Sequence, residues 1–333
     1  MLKQHVYDVI VATYHDNRFY VDTLLEAGVP YVYLKKAHNP LRRIFAVAHY
    51  IRRQRPDWVI SYLETPSIVA SLVHVFNHSF KLIVSERNTT QQIGRNEKIR
   101  FRLFEFADYV VANAYAQQSF IKTHFPKLKD KTTAIVNFVD ITTFCPVEHS
   151  RRDIPEIVVA ASIWPPKNTL NFIRAVRILK DRNKKFHVSW YGKVNAEIEY
   201  YQQCEQLIAE LGVEDCISLL DKTKQIRTKY QDADCFVLPS FYEGTPNVIC
   251  EAMACGLPIA CSNVCDNGRY VIEGKNGTLF DPHSVESMAD GISRLLDIDG
   301  DCYSIYRTNS RAIAEEKLSG EKFVESYIKL LNS

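Results

Sequence analysis

Phe236 to Pro282 reads FVLPSFYEGTPNVICEAMACGLPIACSNVCDNGRYVIEGKNGTLFDP, and this stretch decides the fold. FVLPS is a short apolar run stopped by Pro239, the pattern of a buried strand. Phe241 to Gly244 follows as a loop whose glycine permits a tight turn or close approach to a ligand. Thr245 before Pro246 reads as an N-cap and first helical residue, and Gly256 before Pro258 closes the helix after about ten residues. The start of such a helix offers free N–H groups and a partial positive charge, which suit a phosphate. Glu243 lies just before that start, and Glu251 lies about a turn and a half inside. Backbone is thus left to hold phosphate, while the two carboxylates accept hydrogen bonds from hydroxyls. A diphosphate flanked by two polyhydroxylated groups, as in a nucleotide-sugar, meets both demands.

Outward from this stretch the chain alternates short apolar runs with helical patterns, which predicts a doubly wound α/β protein with parallel sheets. Strands are expected at Tyr7 to Thr13, Tyr31 to Leu34, Trp58 to Tyr62, Lys81 to Ser85, Tyr109 to Ala112 and Thr133 to Asn137. A second series runs through Glu156 to Ala161, Phe186 to Tyr191, Ile217 to Leu220, Cys235 to Pro239, Ile259 to Ser262 and Thr278 to Phe280. Between the two series, PVEHSRRDIP at Pro146 to Pro155 is polar and bracketed by prolines, the pattern of a domain boundary. The expected division is a first domain over 1–145, a linker over 146–155, a second domain over 156–318 and a terminal helix within 319–333.

Composition narrows the function without naming it. The 333 residues are 46% hydrophobic and 24% charged, as in ordinary globular proteins, and suffice for two domains. A formal net charge of +2 argues against a nucleic-acid binder that works by bulk electrostatics. MLKQHVYDVI reads as neither signal peptide nor membrane anchor, so a cytoplasmic protein is expected. Nine cysteines between Cys145 and Cys302 include no C-x-x-C pair and read as reduced core residues, with no metal site among them. From Leu34 to Pro56, LKKAHNPLRRIFAVAHYIRRQRP carries seven Lys or Arg and no acidic residue, interleaved with apolar positions. Such a segment suits either a solvated helix packed through its apolar side or attachment to an anionic membrane surface.

S-x-x-E-G-x-P-N-x-x-x-E-A-M-A-C-G-x-P, spanning Ser240 to Pro258, resembles the donor-site motif of glycosyltransferase family 4, the retaining transferases of GT-B fold. The resemblance implies two Rossmann-like domains facing a cleft, with the terminal helix returning to the first domain. It also implies metal-independent transfer of a sugar from a UDP-sugar to a lipid-linked or surface-polysaccharide precursor, with no resident cofactor. In that family's pattern Glu243 meets the donor sugar's hydroxyls and Glu251 the ribose, while the backbone of Gly244, Thr245, Pro246 and Asn247 lies against the diphosphate. ASIWPPKN at Ala161 to Asn168 resembles the family's G-R-L-x-x-x-K-N, which makes Lys167 the diphosphate-binding, catalytic lysine. The family's arginine falls on Ser162, so a second cation is sought at Lys193, Lys222 or Lys224. NFVDITTFCP at Asn137 to Pro146 resembles the family's interdomain segment.

In KLIVSERNTT, Lys81 to Thr90, Glu86 and Arg87 fall beyond a strand's carboxyl end, where open α/β sheets bind ligands. Many family members carry a histidine there, which makes Glu86 a catalytic candidate and Arg87 a binding one. HVYDVIVATY resembles the family's second strand, so the first β-α unit is expected to be missing, leaving two unpaired strand edges. The alternatives are a non-catalytic nucleotide-sugar-binding or partner protein of degenerate GT-B fold, a nucleotide-sugar epimerase, and a sugar phosphorylase.

Overall fold

The computed structural model describes every residue except Met1, Val6, 17–19, 35–38, Asn88, Gln91 and 193–197. The chain divides into unit 1, Met1–Val136 with Phe323–Ser333, and unit 2, Asn137–Lys322. The division comes before the expected linker, because residues 137–145 are bound into unit 2. Val139 N–H donates to Leu318 O at 2.9 Å. Arg311 Nη1 donates to Ile141 O at 3.1 Å and to Phe144 O at 2.9 Å, and Gln231 Nε2 donates to Cys145 O at 2.8 Å. Carbonyls that no sheet satisfies take their hydrogen bonds from side chains, which fixes this segment to one unit.

Unit 1 contains β1 (Val11–Thr13), β2 (Tyr31–Tyr33), β3 (Trp58–Tyr62), β4 (Lys81–Glu86), β5 (Tyr109–Ala112) and β6 (Thr132–Ala134). β1 starts at Val11 rather than Tyr7. Among the described residues these strands form two parallel sheets, β1-β2 and β3-β4-β5-β6. Leu82, Val84 and Val110 pack on Ile51, Phe101, Phe104 and Ile121, while Ile83 and Val111 pack with Tyr327 of the last helix, Gly320–Leu331. Alternate strand residues thus face opposite layers, as a buried parallel sheet requires. The helix Pro40–Gln54 turns Ile44, Val47, Ala48 and Ile51 inward and leaves Leu41 and Phe45 67% and 74% exposed.

Unit 2 contains β7 (Glu156–Ala160), β8 (His187–Tyr191), β9 (Ile217–Leu220), β10 (Cys235–Leu238), β11 (Ile259–Ser262) and β12 (Gly277–Phe280). They form one six-stranded sheet in the order β12-β11-β10-β7-β8-β9, parallel at every pairing. On one face Ile157, Val159, Val188, Trp190 and Ile217 pack with Phe172 and Val176 of helix Thr169–Asp181 and Met288 and Ile292 of helix Val285–Leu296. Strand order reverses between β7 and β10, so the crevice at their carboxyl ends is the place where such a sheet binds ligands. All nine cysteines are free thiols, six of them buried.

Candidate active site

The loops that follow β7, β10 and β12 meet at that switch point through one buried side chain. Asn168 is 2% exposed and left-handed at φ 61, a conformation asparagine tolerates better than most residues. It is the N-cap residue of helix Thr169–Asp181, yet its side chain makes no capping bond. Its Nδ2 instead donates to Pro239 O at 3.0 Å and Pro282 O at 2.8 Å, beyond the ends of β10 and β12. Phe241 N–H donates to Pro166 O at 3.0 Å, a second tie between the same loops. On the β8 side, a Cβ on Gly192 would stand 2.1 Å from Ala161 O, so only glycine allows the loops after β7 and β8 to approach this closely.

These ties bring Lys167 and Glu243 together across 76 positions of sequence. Lys167 Nζ donates to Glu243 Oε1 at 2.5 Å, with the side chains 23% and 11% exposed. The Cys265 thiol, in a left-handed residue at φ 48, meets the Glu243 backbone. Phe241 stacks on the His283 ring at 5.0 Å between centroids.

The helix after this loop spans Asn247–Ala254 and begins later than expected. Pro246, extended at ψ 103, is the N-cap in place of Thr245. Pro246 O accepts from Ile249 and Cys250 N–H, leaving the earlier N–H groups of Asn247 and Val248 with no acceptor among the described residues. Asn247 Oδ1 accepts from Asn137 Nδ2 at 2.8 Å. One turn in, the half-buried Glu251 accepts from Tyr230 O–H at 3.3 Å. Burial pushes its carboxyl up to about 7, against the lowering effect of the tyrosine hydrogen bond. A carboxylate that is costly to ionise and has spare acceptor capacity is suited to hydroxyl donors.

The remaining expected residues lie elsewhere. Lys222 and Lys224 follow β9, three strands from β10, so about 14 Å of sheet separates them from the strand that precedes Glu243. Lys193 is outside the described residues. Glu86 does end β4, but its carboxylate is 1% exposed and faces Arg100 Nε at 3.4 Å. Arg100, itself buried, also pairs with Glu64 at 3.1 Å and donates to Thr90 Oγ1 at 2.9 Å. Glu86 therefore supports its loop and is not presented for acid–base work. Arg87 lies over the Tyr62 ring at 5.0 Å and donates from Nη2 to Tyr327 O–H at 3.3 Å. Asn168, Tyr230 and Cys265 were not singled out by the sequence reading. Asn168 had a signal in the PPKN run, whereas Tyr230 sits in a helix whose pattern reveals only a core position.

Residues 154–297 match the family described as Glycosyl transferases group 1. Over 302 residues the chain is 24% identical to an uncharacterized glycosyltransferase of Methanocaldococcus jannaschii, covering 76% of this chain and 72% of that protein. Over 181 residues it is 26% identical to the UDP-Gal:alpha-D-GlcNAc-diphosphoundecaprenol alpha-1,3-galactosyltransferase of Escherichia coli, covering 50% of this chain and 46% of that one. The crystal structure of Anabaena HepE in complex with UDP-glucose matches with a TM-score of 0.80 at 21% identity, covering 97% of this chain and 91% of that one. The switch-point site lies within the matched residues, and the same α/β architecture recurs in the solved structure. Unit 2 thus contains a glycosyl transferases group 1 domain, and the chain that carries it is a glycosyltransferase of GT-B fold.

Proposed function

We propose that the enzyme belongs to family 4 and moves a sugar from a UDP-sugar, with retention of configuration, to a lipid-linked or surface-polysaccharide precursor. The observation that carries this reading is Lys167 against Glu243 at the ends of β7 and β10, beside the open helix start at Asn247. In this reading the diphosphate rests on the N–H groups at Gly244, Thr245 and Asn247, with Pro246 contributing none. The sugar hydroxyls donate to Glu243 and the ribose hydroxyls to Glu251. As the bond from the anomeric carbon to the diphosphate oxygen breaks, the electron pair leaves with the diphosphate, and the Lys167 ammonium offsets the growing charge. The acceptor oxygen attacks from the same face and its proton passes to the departing phosphate oxygen, so no side-chain nucleophile is needed.

Two likenesses support the choice of substrates. The E. coli relative is named for UDP-Gal and a diphosphoundecaprenol-linked acceptor, and the HepE crystal holds UDP-glucose. Leu41 and Phe45, exposed on the same helix as Arg42, Arg52 and Arg53, suit a peripheral position on an anionic bilayer at its cytoplasmic face. Calorimetry with UDP, GDP and ADP tests the donor, with UDP expected to bind tightest. Release of UDP from UDP-glucose or UDP-galactose should require added membrane lipid extract and should vanish in Glu243→Gln and Glu251→Gln with the circular dichroism unchanged. Full turnover in both variants would sink the assignment.

A further inference from the structure

Lys167 and Glu243 are assigned opposite tasks, one facing phosphate and the other facing sugar, yet each is the other's hydrogen-bond partner. Resting on the donor-site reading above, we infer that Glu243 is a built-in competitor for Lys167 that selects against the product nucleotide and speeds its release. The carboxylate is only 11% exposed and, among the described residues, its partner is the lysine at 2.5 Å, so it has little water to fall back on when that lysine turns to a diphosphate. The complex with intact donor provides compensation, because the sugar hydroxyls donate to the carboxylate. The complex with the product nucleotide does not. There Glu243 is left without its lysine, beside a diphosphate of like charge, and the lowest-energy response is to take the lysine back.

The loops give this exchange a fixed geometry. Asn168 and the Phe241–Pro166 hydrogen bond hold the two backbones together, so the lysine and the glutamate cannot separate by loop movement alone. The lysine's flexible stem must carry the change, moving between carboxylate and phosphate while the backbone stays in place. Such an arrangement lowers affinity for UDP more than for UDP-sugar, and by linkage it makes the donor's sugar part of what pays for ionic rearrangement.

The test is a double-mutant cycle in calorimetry on the whole chain, with UDP and UDP-glucose as probes. Glu243→Gln, which keeps shape and removes charge, should bind UDP about tenfold more tightly than the native protein, while its affinity for UDP-glucose should not rise. Glu243→Ala should behave in the same way toward UDP, which guards against an artefact of the amide. In a Lys167→Ala background the Glu243→Gln change should alter UDP affinity by less than about twofold, because the lysine that mediates the competition is gone. UDP affinity that is unchanged or weaker in both Glu243 variants would overturn the inference and leave the donor site standing. A native protein that binds neither UDP nor UDP-glucose would overturn the donor-site reading itself, and this inference with it.

Discussion

The two units of this enzyme differ in how their strands are supported, and the difference separates the unit that builds chemistry from the unit that does not yet display it. In unit 2, β7 has a partner on each side, and β10 and β11 are buried along their whole length. In unit 1, β3 pairs only with β4 among the described residues, and Trp58, Val59 and Ile60 stay half-buried. β1 and β2 contain no buried residue at all. A continuous sheet fixes the positions of its carboxyl-end loops, so Lys167 and Glu243 can meet within hydrogen-bonding distance. Unit 1 instead divides its strands between two smaller sheets among the described residues, and the polar residues at the end of β4 are engaged in packing. Hydrogen exchange should expose this contrast most strongly. Amides in β10 and β11 should be protected at least about a thousandfold more than those in β1 and β2, a gap of roughly 4 kcal/mol. Equal protection would mean that β1 and β2 have support the described contacts do not reveal.

Each unit also contains a buried polar tie at the end of its strands, and cutting the two should have different consequences. Arg100→Ala leaves the Glu86 carboxylate buried without its arginine and should cost about 3–5 kcal/mol in urea unfolding of unit 1, with UDP binding by the folded protein retained. Asn168→Ala removes two buried hydrogen bonds and should cost about 2–4 kcal/mol in unit 2, with UDP binding weakened as well. Asn168→Gly keeps the left-handed backbone and loses the same bonds. If the glycine variant is as stable as the native protein, the backbone angle matters and the side-chain tie does not.

Lys167→Ala sharpens the comparison at the chemical step. Charge on the diphosphate is greatest as the glycosidic bond breaks, so turnover should fall about a hundredfold while UDP affinity falls only about tenfold. Equal losses in single-turnover rate and in UDP binding would make Lys167 a ground-state contact.

How much of this was legible in sequence follows the range of the interactions involved. β3, β5, β9 and β11 end where their apolar runs end, because a buried strand writes its burial into consecutive residues. The site loop was legible because Pro239, Gly244 and Gly256 punctuate it locally. The helix start was misplaced by a residue because Pro246 has a φ of −75 that serves a cap as well as a first turn, and only its ψ of 103 decides. The pairing of Glu86 could not be read locally because Arg100, its ion-pair partner, lies on a separate helix. The early domain division depends on Arg311 reaching residues 141 and 144, which no periodicity encodes. Asn168 joins residues 71 and 114 positions away, and its meaning exists only once the sheet is folded.

The smallest effect concerns Glu251, where the buried helix of unit 2 meets ionisation. Its carboxyl titrates near 7 in the folded protein against an ordinary value of 4.5, because burial disfavours the charged form. Below pH 4.5 the group is protonated whether the chain is folded or not, so it has no effect on the balance. Between 4.5 and 7 the unfolded chain has lost this proton and the folded chain still holds it, so stability falls as pH rises and levels off above 7. Glu251→Gln, which cannot ionise, should therefore match the native protein near pH 4 and exceed its stability at pH 8 by roughly 1–2 kcal/mol, allowing for partial screening. UDP binding should run the other way. The ionised carboxylate is the better acceptor for ribose hydroxyls, so native affinity should rise through pH 7 and that rise should be absent in the glutamine variant. Unfolding curves at pH 4 and pH 8 with calorimetry across pH 6–8 measure both. A native protein whose stability does not fall between pH 4.5 and 7 relative to the variant would show that Glu251 ionises as freely as an exposed carboxyl, and the buried character of this part of the site would have to be given up.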